Sequence, residues 1–358
     1  MTVSTKRAFL RGLACAGLAP LVAPTLLAAQ PSARPVRAPK KFRMILNANF
    51  SSPQGWLLLA LDRGYLAAEG IELELTTGEG AFKAAPRMAA EGYDLGYGDV
   101  NSLIEVVAKG HGETGVGVFM MHNSTPSAIC VKSDGPIKTL ADLNGKTITG
   151  HDRDVALKTF PAFCKKTGVD LASVKSPIFG GGMTDQVKAM LAPGGVDGLF
   201  GYVSTIRSAI VAGGLDLDAV RFIKYIDHVP DLYGSSVMAS RRMMQEEPEA
   251  LAAIIRAFNR GVRDEAANRD AVLDAVLKRD PKMNRASEKI RLDTTLELEM
   301  ANPEGKRLGI GDVDDARLTR AVALVCETNG MPRTPALKDV FDRRFLPPVS
   351  ERVTTLAS

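Results

Sequence analysis

The stretch Gly92–Ile104, GYDLGYGDVNSLI, sets two glycines, an aromatic ring and a carboxylate at the end of a short apolar run, just before a helix-like pattern. Two chemistries fit Asp99. It can be the N-cap of a helix starting at Val100, a position where Asp is among the best residues. It can also face a binding cleft, where a partly dry carboxylate repels sulfonate, nitrate or phosphate and favours an amine or a protonated heterocycle. Gly96 and Gly98 would let the backbone turn and a ligand approach, with Tyr97 as a wall. Trp56, the only tryptophan, joins Tyr97, Tyr202 and Tyr233 as flat surfaces on which a ring could stack.

Other polar residues each carry a plain reading beside the chemical one. Arg153, in GHDRD, is the basic residue best placed to meet a carboxylate, and a solvated helix face is its commoner fate. Gly180, Gly181 and Gly182 could cradle an anion, but they lack the Lys-Ser/Thr of a phosphate loop and read as a flexible turn. Ser51 and Ser52 either cap the following helix or offer hydroxyls to a ligand. Asp197, in GGVDG, reads as structural. Cys130, Cys164 and Cys326 lie far apart in apolar contexts without a C-x-x-C, and His111, His122, His151 and His228 show no metal-ligand spacing. No cofactor, metal or catalytic residue is expected.

Short apolar strand-like runs predict strands at Met44–Asn47, Ile71–Thr76, Asp94–Tyr97, Gly117–Met121, Ala128–Lys132, Thr147–Thr149, Ser176–Phe179, Gly198–Tyr202, Phe222–Tyr225 and Ser236–Ala239. Helical patterns fall between them near Gln54–Arg63, Phe82–Ala90, Asn101–Lys109, Ala156–Lys166, Asp185–Leu191 and Ser204–Val211. Thr139 to Asp142 followed by Gly145 adds a short capped turn. After about residue 240 the pattern is nearly all helical, led by Leu251, Ile254, Ile255, Phe258 and Val262 behind Pro248. Alternating strand and helix predicts α/β architecture with parallel sheet. Ligands of such sheets lie beyond the carboxyl ends of strands. That rule selects Asn49, Ser51, Ser52 and Trp56 after the first strand, Tyr97, Gly98 and Asp99 after the third, and Asn123 after the fourth. In the second half it selects Arg153, Tyr202 and Ser204.

The 358 residues suit roughly two domains. Lys6, Arg7 and Arg11 precede a short small-apolar run interrupted by Pro20 and Pro24, with no acidic residue before Ala29. That predicts a signal peptide over residues 1–29 rather than a membrane span, exported by the Sec or twin-arginine route. The leader carries three of the four net positive charges, so a near-neutral mature chain remains and a nucleic-acid footprint is not expected.

The order of several stretches resembles the periplasmic solute-binding proteins of ABC importers, in the nitrate/sulfonate/taurine and NMT1/THI5-like family. LALDRGYLAAEGIELEL is similar to the passage from the first helix to the second strand, and GYDLGYGDVNSLI to the strand-turn-helix after it. IKTLADLNGKTIT resembles the opening of the second lobe, MLAPGGVDGLFGY its Gly-x-Val-Asp strand, and EPEALAAIIRAFNRGVRDEAANRD the long helix after the return crossing. The resemblance implies a two-lobed periplasmic-binding-protein fold of type II, each lobe a mainly parallel sheet flanked by helices, with helical C-terminal parts packed on the first lobe. Lobe 1 would comprise residues 42–127 plus 229–358, lobe 2 residues 128–228, and 30–41 a linker. It implies a periplasmic, monomeric, non-enzymatic protein that closes on a small-molecule ligand and delivers it to a membrane permease with its ATPase. An aminopyrimidine of the thiamine-precursor kind is the first ligand expected, ahead of a sulfonate, nitrate or aromatic carboxylate. Two alternatives are a THI5-like pyrimidine-synthesis enzyme and a periplasmic ligand-sensing subunit.

Overall fold

The structure is a computed structural model that describes residues 38–110 and 114–356. The leader expected at 1–29, the linker as far as residue 37, and His111 lie outside the described residues. Within them are nine strands: β1 (Lys40–Ile45), β2 (Ile71–Thr76), β3 (Leu95–Asp99), β4 (Gly115–Met120), β5 (Ser127–Lys132), β6 (Ile148–Thr149), β7 (Gly198–Tyr202), β8 (Val220–Lys224) and β9 (Ser235–Ser240). One sheet has the order β2-β1-β3-β9-β4 and the other β6-β7-β5-β8. Helices flank both, giving the two-lobed α/β fold.

Each sheet is mainly parallel with one reversed strand. β1 runs parallel to β2 and β3, while β9 is antiparallel to β3 and β4. In the second sheet β6 and β7 are parallel, and β5 opposes β7 and β8. The reversed strands are the two that follow a crossing between sheets, β5 after β4 and β9 after β8. A strand entering from the other lobe starts at the facing edge and must run away from it. The forward strands therefore end at the facing edge in both lobes, and their terminal loops meet there.

The segment 176–179 departs from the strand expected of it. It makes one isolated bridge, Gly150 with Ile178, separated from that of Thr147 with Lys175 just before it, because Pro177 has no N–H for a ladder. The helix expected over Ala156–Lys166 is two pieces, Val155–Lys158 and Phe160–Thr167, broken where Pro161 removes an N–H. β1 starts at Lys40, inside the stretch read as linker, because Lys40 and Lys41 pair with Ile71 and Glu72.

Local chemistry explains the elements that carry the site. The Val100–Lys109 helix starts at Asp99, whose carboxylate accepts from the backbone N–H groups of Asn101 (2.9 Å) and Ser102 (3.4 Å), and it ends at Gly110 with φ 70°. The Ala81–Glu91 helix contains Pro86, which leaves the Phe82 carbonyl without its usual donor. The Ser102 hydroxyl donates to that carbonyl at 2.5 Å.

The C-terminal helices touch both lobes. Pro248–Ala267 crosses Gly55–Asp62, where Phe258 meets Trp56 edge-on at 4.8 Å. A Cβ on Gly261 would stand 2.0 Å from the Trp56 carbonyl oxygen, so only glycine permits this approach. Arg285–Thr294 runs instead along Val203–Ala212 of the second lobe, although the C-terminal helices were expected on the first. Glu288 still ties it to the first lobe, accepting from the Ser52 N–H (2.8 Å) through its carboxylate and the Ser52 hydroxyl (2.9 Å) through its carbonyl.

Candidate functional site

A cavity of about 320 Å³ opens where the forward strands end, at the lower end of the range of ~300–1,000 Å³ usual for small-molecule sites. The first lobe contributes Asn47 and Ala48 beyond β1, and Gly80 and Ala81 at the start of the next helix. The second contributes His151, Arg153, Asp154 and Val155 beyond β6, Gly181 to Met183, and Gly201, Tyr202 and Thr205. The His151 Nε2 donates to the Gly181 carbonyl at 2.7 Å, fixing the glycine turn. Gly80 has φ 133°, and a Cβ there would lie 3.0 Å from Arg153 Cδ, so the arginine's stem lies across it. A larger depression of about 900 Å³ lies elsewhere, beside Arg241 and Arg344, and its ionic groups answer one another, as in Arg241–Asp339 at 3.0 Å and Arg344–Asp342 at 2.6 Å.

Carboxylates set the electrostatics of the cleft. Asp99 is fully buried, and burial pushes its pKa up to about 7 against the hydrogen bonds from Asn101, Ser102 and Tyr202 that hold it down. Its Oδ2 faces the Tyr202 hydroxyl at 3.5 Å across the lobe boundary. Asp154 is pushed up to about 6 by burial, offset by the Ala156 N–H at 2.9 Å. Glu299 reaches about 6 for the same reason and accepts, at 3.4 Å, from the N–H of Ser204 at the start of the Val203–Ala212 helix. It sits on a π-helical turn, Thr295–Met300, a form that recurs at functional sites. Arg153 is exposed.

The residues singled out from sequence divide. Arg153 and Tyr202 line the cavity, Asp99 stands behind Tyr202, and Ser204 opens its helix beside Glu299. Tyr97 and Trp56 are wholly buried, edge to face at 5.2 Å between ring centres, so the tryptophan is a core residue of the first lobe rather than part of the cavity wall. Gly98 serves packing: its Cβ would meet Ala84 Cβ at 2.4 Å, so the glycine lets a helix press on β3, not a ligand. The Ser51 N–H is held by Gln54 Oε1 at 2.9 Å, both polar groups of Ser52 are taken by Glu288, and Asn49 is exposed outside the cavity. The Asn123 amide donates to Glu304 and to the Asp312 carbonyl, each at 2.8 Å, and the Tyr233 hydroxyl donates to Glu304, so both are bound into a structural network. Asn47, Gly80, Asp154 and Glu299 were missed. Asp154 lay in a loop already under suspicion, whereas nothing in the local sequence turns Glu299 inward.

Cys130, Cys164 and Cys326 are buried free thiols. Among the described residues no three His, Cys, Asp or Glu side chains gather as a metal-binding group.

The sequence model of the family described as NMT1/THI5 like matches residues 54–271, more than half of the chain. The chain belongs to the NMT1/THI5-like family. Among curated proteins nothing matches the sequence. Among solved structures, this NMT1/THI5-like chain is similar to the periplasmic aliphatic sulphonate binding protein SsuA from Escherichia coli, at 17% identity and TM-score 0.65, covering 87% of this chain and 94% of that one. The alkanesulfonate-binding protein SsuA from Xanthomonas axonopodis pv. citri bound to MOPS is similar at 14% identity and TM-score 0.64, covering 86% and 99%. A mutant of DSZB in complex with biphenyl-2-sulfinic acid is similar at 13% identity and TM-score 0.58, covering 85% and 97%, and DSZB is described as a desulfurization enzyme. At these identities the likeness is one of fold, shared by binding proteins and an enzyme alike.

Proposed function

We propose that this chain is the solute-binding component of an ABC import system, exported to the periplasm. It holds one small organic molecule between its lobes, closes on it by hinge motion, and hands it as a monomer to a permease with its ATPase. The ligand carries a cationic or hydrogen-bond-donating nitrogen, and an aminopyrimidine is the first candidate. The observation that carries this reading is the set of inward carboxylates, Asp99, Asp154 and Glu299, at and behind a cavity whose arginine is exposed. A sulfonate of the kind named for the SsuA structures would meet like charge there without a buried cation to answer it.

Thermal-shift screening against aminopyrimidines, primary amines, aromatic carboxylates, sulfonates and nitrate tests the reading. Stabilisation by an aminopyrimidine or amine is expected. Stabilisation only by sulfonates or inorganic anions overturns the ligand class. Mass spectrometry of the released molecule separates binder from enzyme, because a binding protein returns it unaltered.

A further inference from the structure

We infer that the binding site continues behind the Asp99–Tyr202 contact into an inner subsite of Tyr97, His122, Ser235 and Glu299, which takes an amino group conjugated to a ring nitrogen, or an amidine. The inference rests on the solute-binding reading and names the part of the ligand that goes deepest.

Four side chains that are almost wholly inaccessible meet there: Tyr97 0%, His122 2%, Ser235 0% and Glu299 1% exposed. The Tyr97 hydroxyl, both His122 ring nitrogens and the Ser235 hydroxyl have no hydrogen-bond partner among the described residues. Tyr97 and His122 stand edge to face at 6.4 Å between ring centres. The Ser235 carbonyl accepts from the backbone N–H of His122 at 3.1 Å, and Ser235 lies opposite Asp99 in the β3–β9 register. The Ser235 and Trp56 side chains approach the Tyr97 hydroxyl, but neither makes a bond of acceptable geometry. The charge of Glu299 is felt at both Tyr97 and Tyr202, the inner ring and the one that lines the cavity.

An orphaned buried polar group costs about 1–3 kcal/mol, so a plain core would not collect several side by side. A nearby buried cluster shows how this chain builds a purely structural network. There Glu304 takes the Tyr233 hydroxyl at 2.9 Å, Arg317 at 3.1 Å and the Asn123 amide at 2.8 Å. That network leaves a single atom, the Asn123 Oδ1, without a partner, whereas the Tyr97–His122–Ser235 group leaves four. Burial pushes His122 down to about 4, so at neutral pH the ring is uncharged and offers one N–H and one bare nitrogen. Glu299 and Asp99 accept, and the two hydroxyls do either. A group presenting N–H donors beside an acceptor nitrogen answers this set. An oxyanion offers acceptors only and would face two carboxylates, because the cations around Glu299 are paired, Arg291 with Glu288 at 3.4 Å and Lys224 with Asp227 at 3.4 Å.

Tyr97→Phe and Ser235→Ala each remove one hydroxyl, and titration calorimetry with aminopyrimidine, benzamidine and benzenesulfonate reads the result on the mature protein. The parent is expected to bind aminopyrimidine or benzamidine, and each variant to bind it about tenfold more weakly, with the melting temperature of the free variant equal to or above that of the parent. Variant affinities within about twofold of the parent overturn the inner subsite and leave the solute-binding reading standing. A lower melting temperature of both free variants with affinity retained also overturns it, because the hydroxyls would then be structural. A parent that binds only benzenesulfonate overturns the nitrogen class, and one that binds none of the three overturns the solute-binding reading for this ligand set along with the subsite.

Discussion

The Tyr202 hydroxyl, at the end of β7 in one lobe, stands 3.5 Å from the carboxylate of Asp99, at the end of β3 in the other. The second Asp99 oxygen caps the Val100–Lys109 helix, so one side chain both starts a helix and faces the opposite lobe. Asparagine keeps the cap but not the charge. Asp99→Asn is therefore expected to leave the melting temperature nearly unchanged at about pH 4, and to raise it towards pH 7, while cutting affinity for an aminopyrimidine or amine tenfold or more in calorimetry. Asp99→Ala should lose the affinity and about 1 kcal/mol of stability from the missing cap. Retained affinity in Asp99→Asn would assign the residue to the cap alone.

The same carboxylate gives a pH signature. Its pKa rises from an ordinary value of about 4 to about 7 in the folded chain, so the native state holds a proton that the unfolded state has released. Stability contributed by Asp99 is then full below about pH 4 and is lost as pH rises towards 7. His122 acts in the opposite sense, with stability lost as pH falls from about 6.5 through its lowered value of about 4. Comparing parent with Asp99→Asn removes the histidine term. Denaturant unfolding across this window should show the parent losing stability relative to the variant as pH rises, and a flat difference would refute the assignment.

Ser102 and Pro86 form a compensating pair, since the serine hydroxyl satisfies the Phe82 carbonyl that the proline leaves without a donor. Ser102→Ala is expected to cost about 1–3 kcal/mol, the penalty of an orphaned buried acceptor. In a Pro86→Ala background the restored N–H can take over, and the same change should cost under about 1 kcal/mol. Equal costs in the two backgrounds would show that the pair is uncoupled.

Gly261 allows the Pro248–Ala267 helix to lie against the Trp56 carbonyl, 2.0 Å from where a Cβ would sit. Gly261→Ala should destabilise by about 1–3 kcal/mol through overpacking. Because Trp56 is wholly buried there, its fluorescence in the parent should be blue-shifted and shielded from iodide. Free quenching of the parent by iodide would place the indole in the cleft instead.

The alternation of strands and helices was plain in the sequence because apolar runs and glycine or proline stops are local signals. β2 and β7 occupy the residues expected of them. Asp99 and Tyr202 were also legible, since the ends of forward strands are where a parallel sheet puts its ligands. Glu299 was hidden because its orientation depends on a π-helical turn, and one extra residue in that turn rotates the side chain from one face to another. Ser52 and Gly98 were misread because their partners, Glu288 and Ala84, are chosen by tertiary packing that neither neighbouring sequence announces. Asn123 was spent in the same way on Glu304, 181 positions along the chain.

The strand order β2-β1-β3-β9-β4 also imposes a sequence of events in time. β3 and β4 do not touch each other, and the seam between them is filled by β9, which leaves the ribosome only after the whole second sheet. The first lobe is thus left open along its middle until Ser235–Ser240 arrives, while the second lobe already has all its strands. Such long-range pairing is slow to form. The first-made half of the chain therefore cannot complete its sheet before nearly all the other strands have been made.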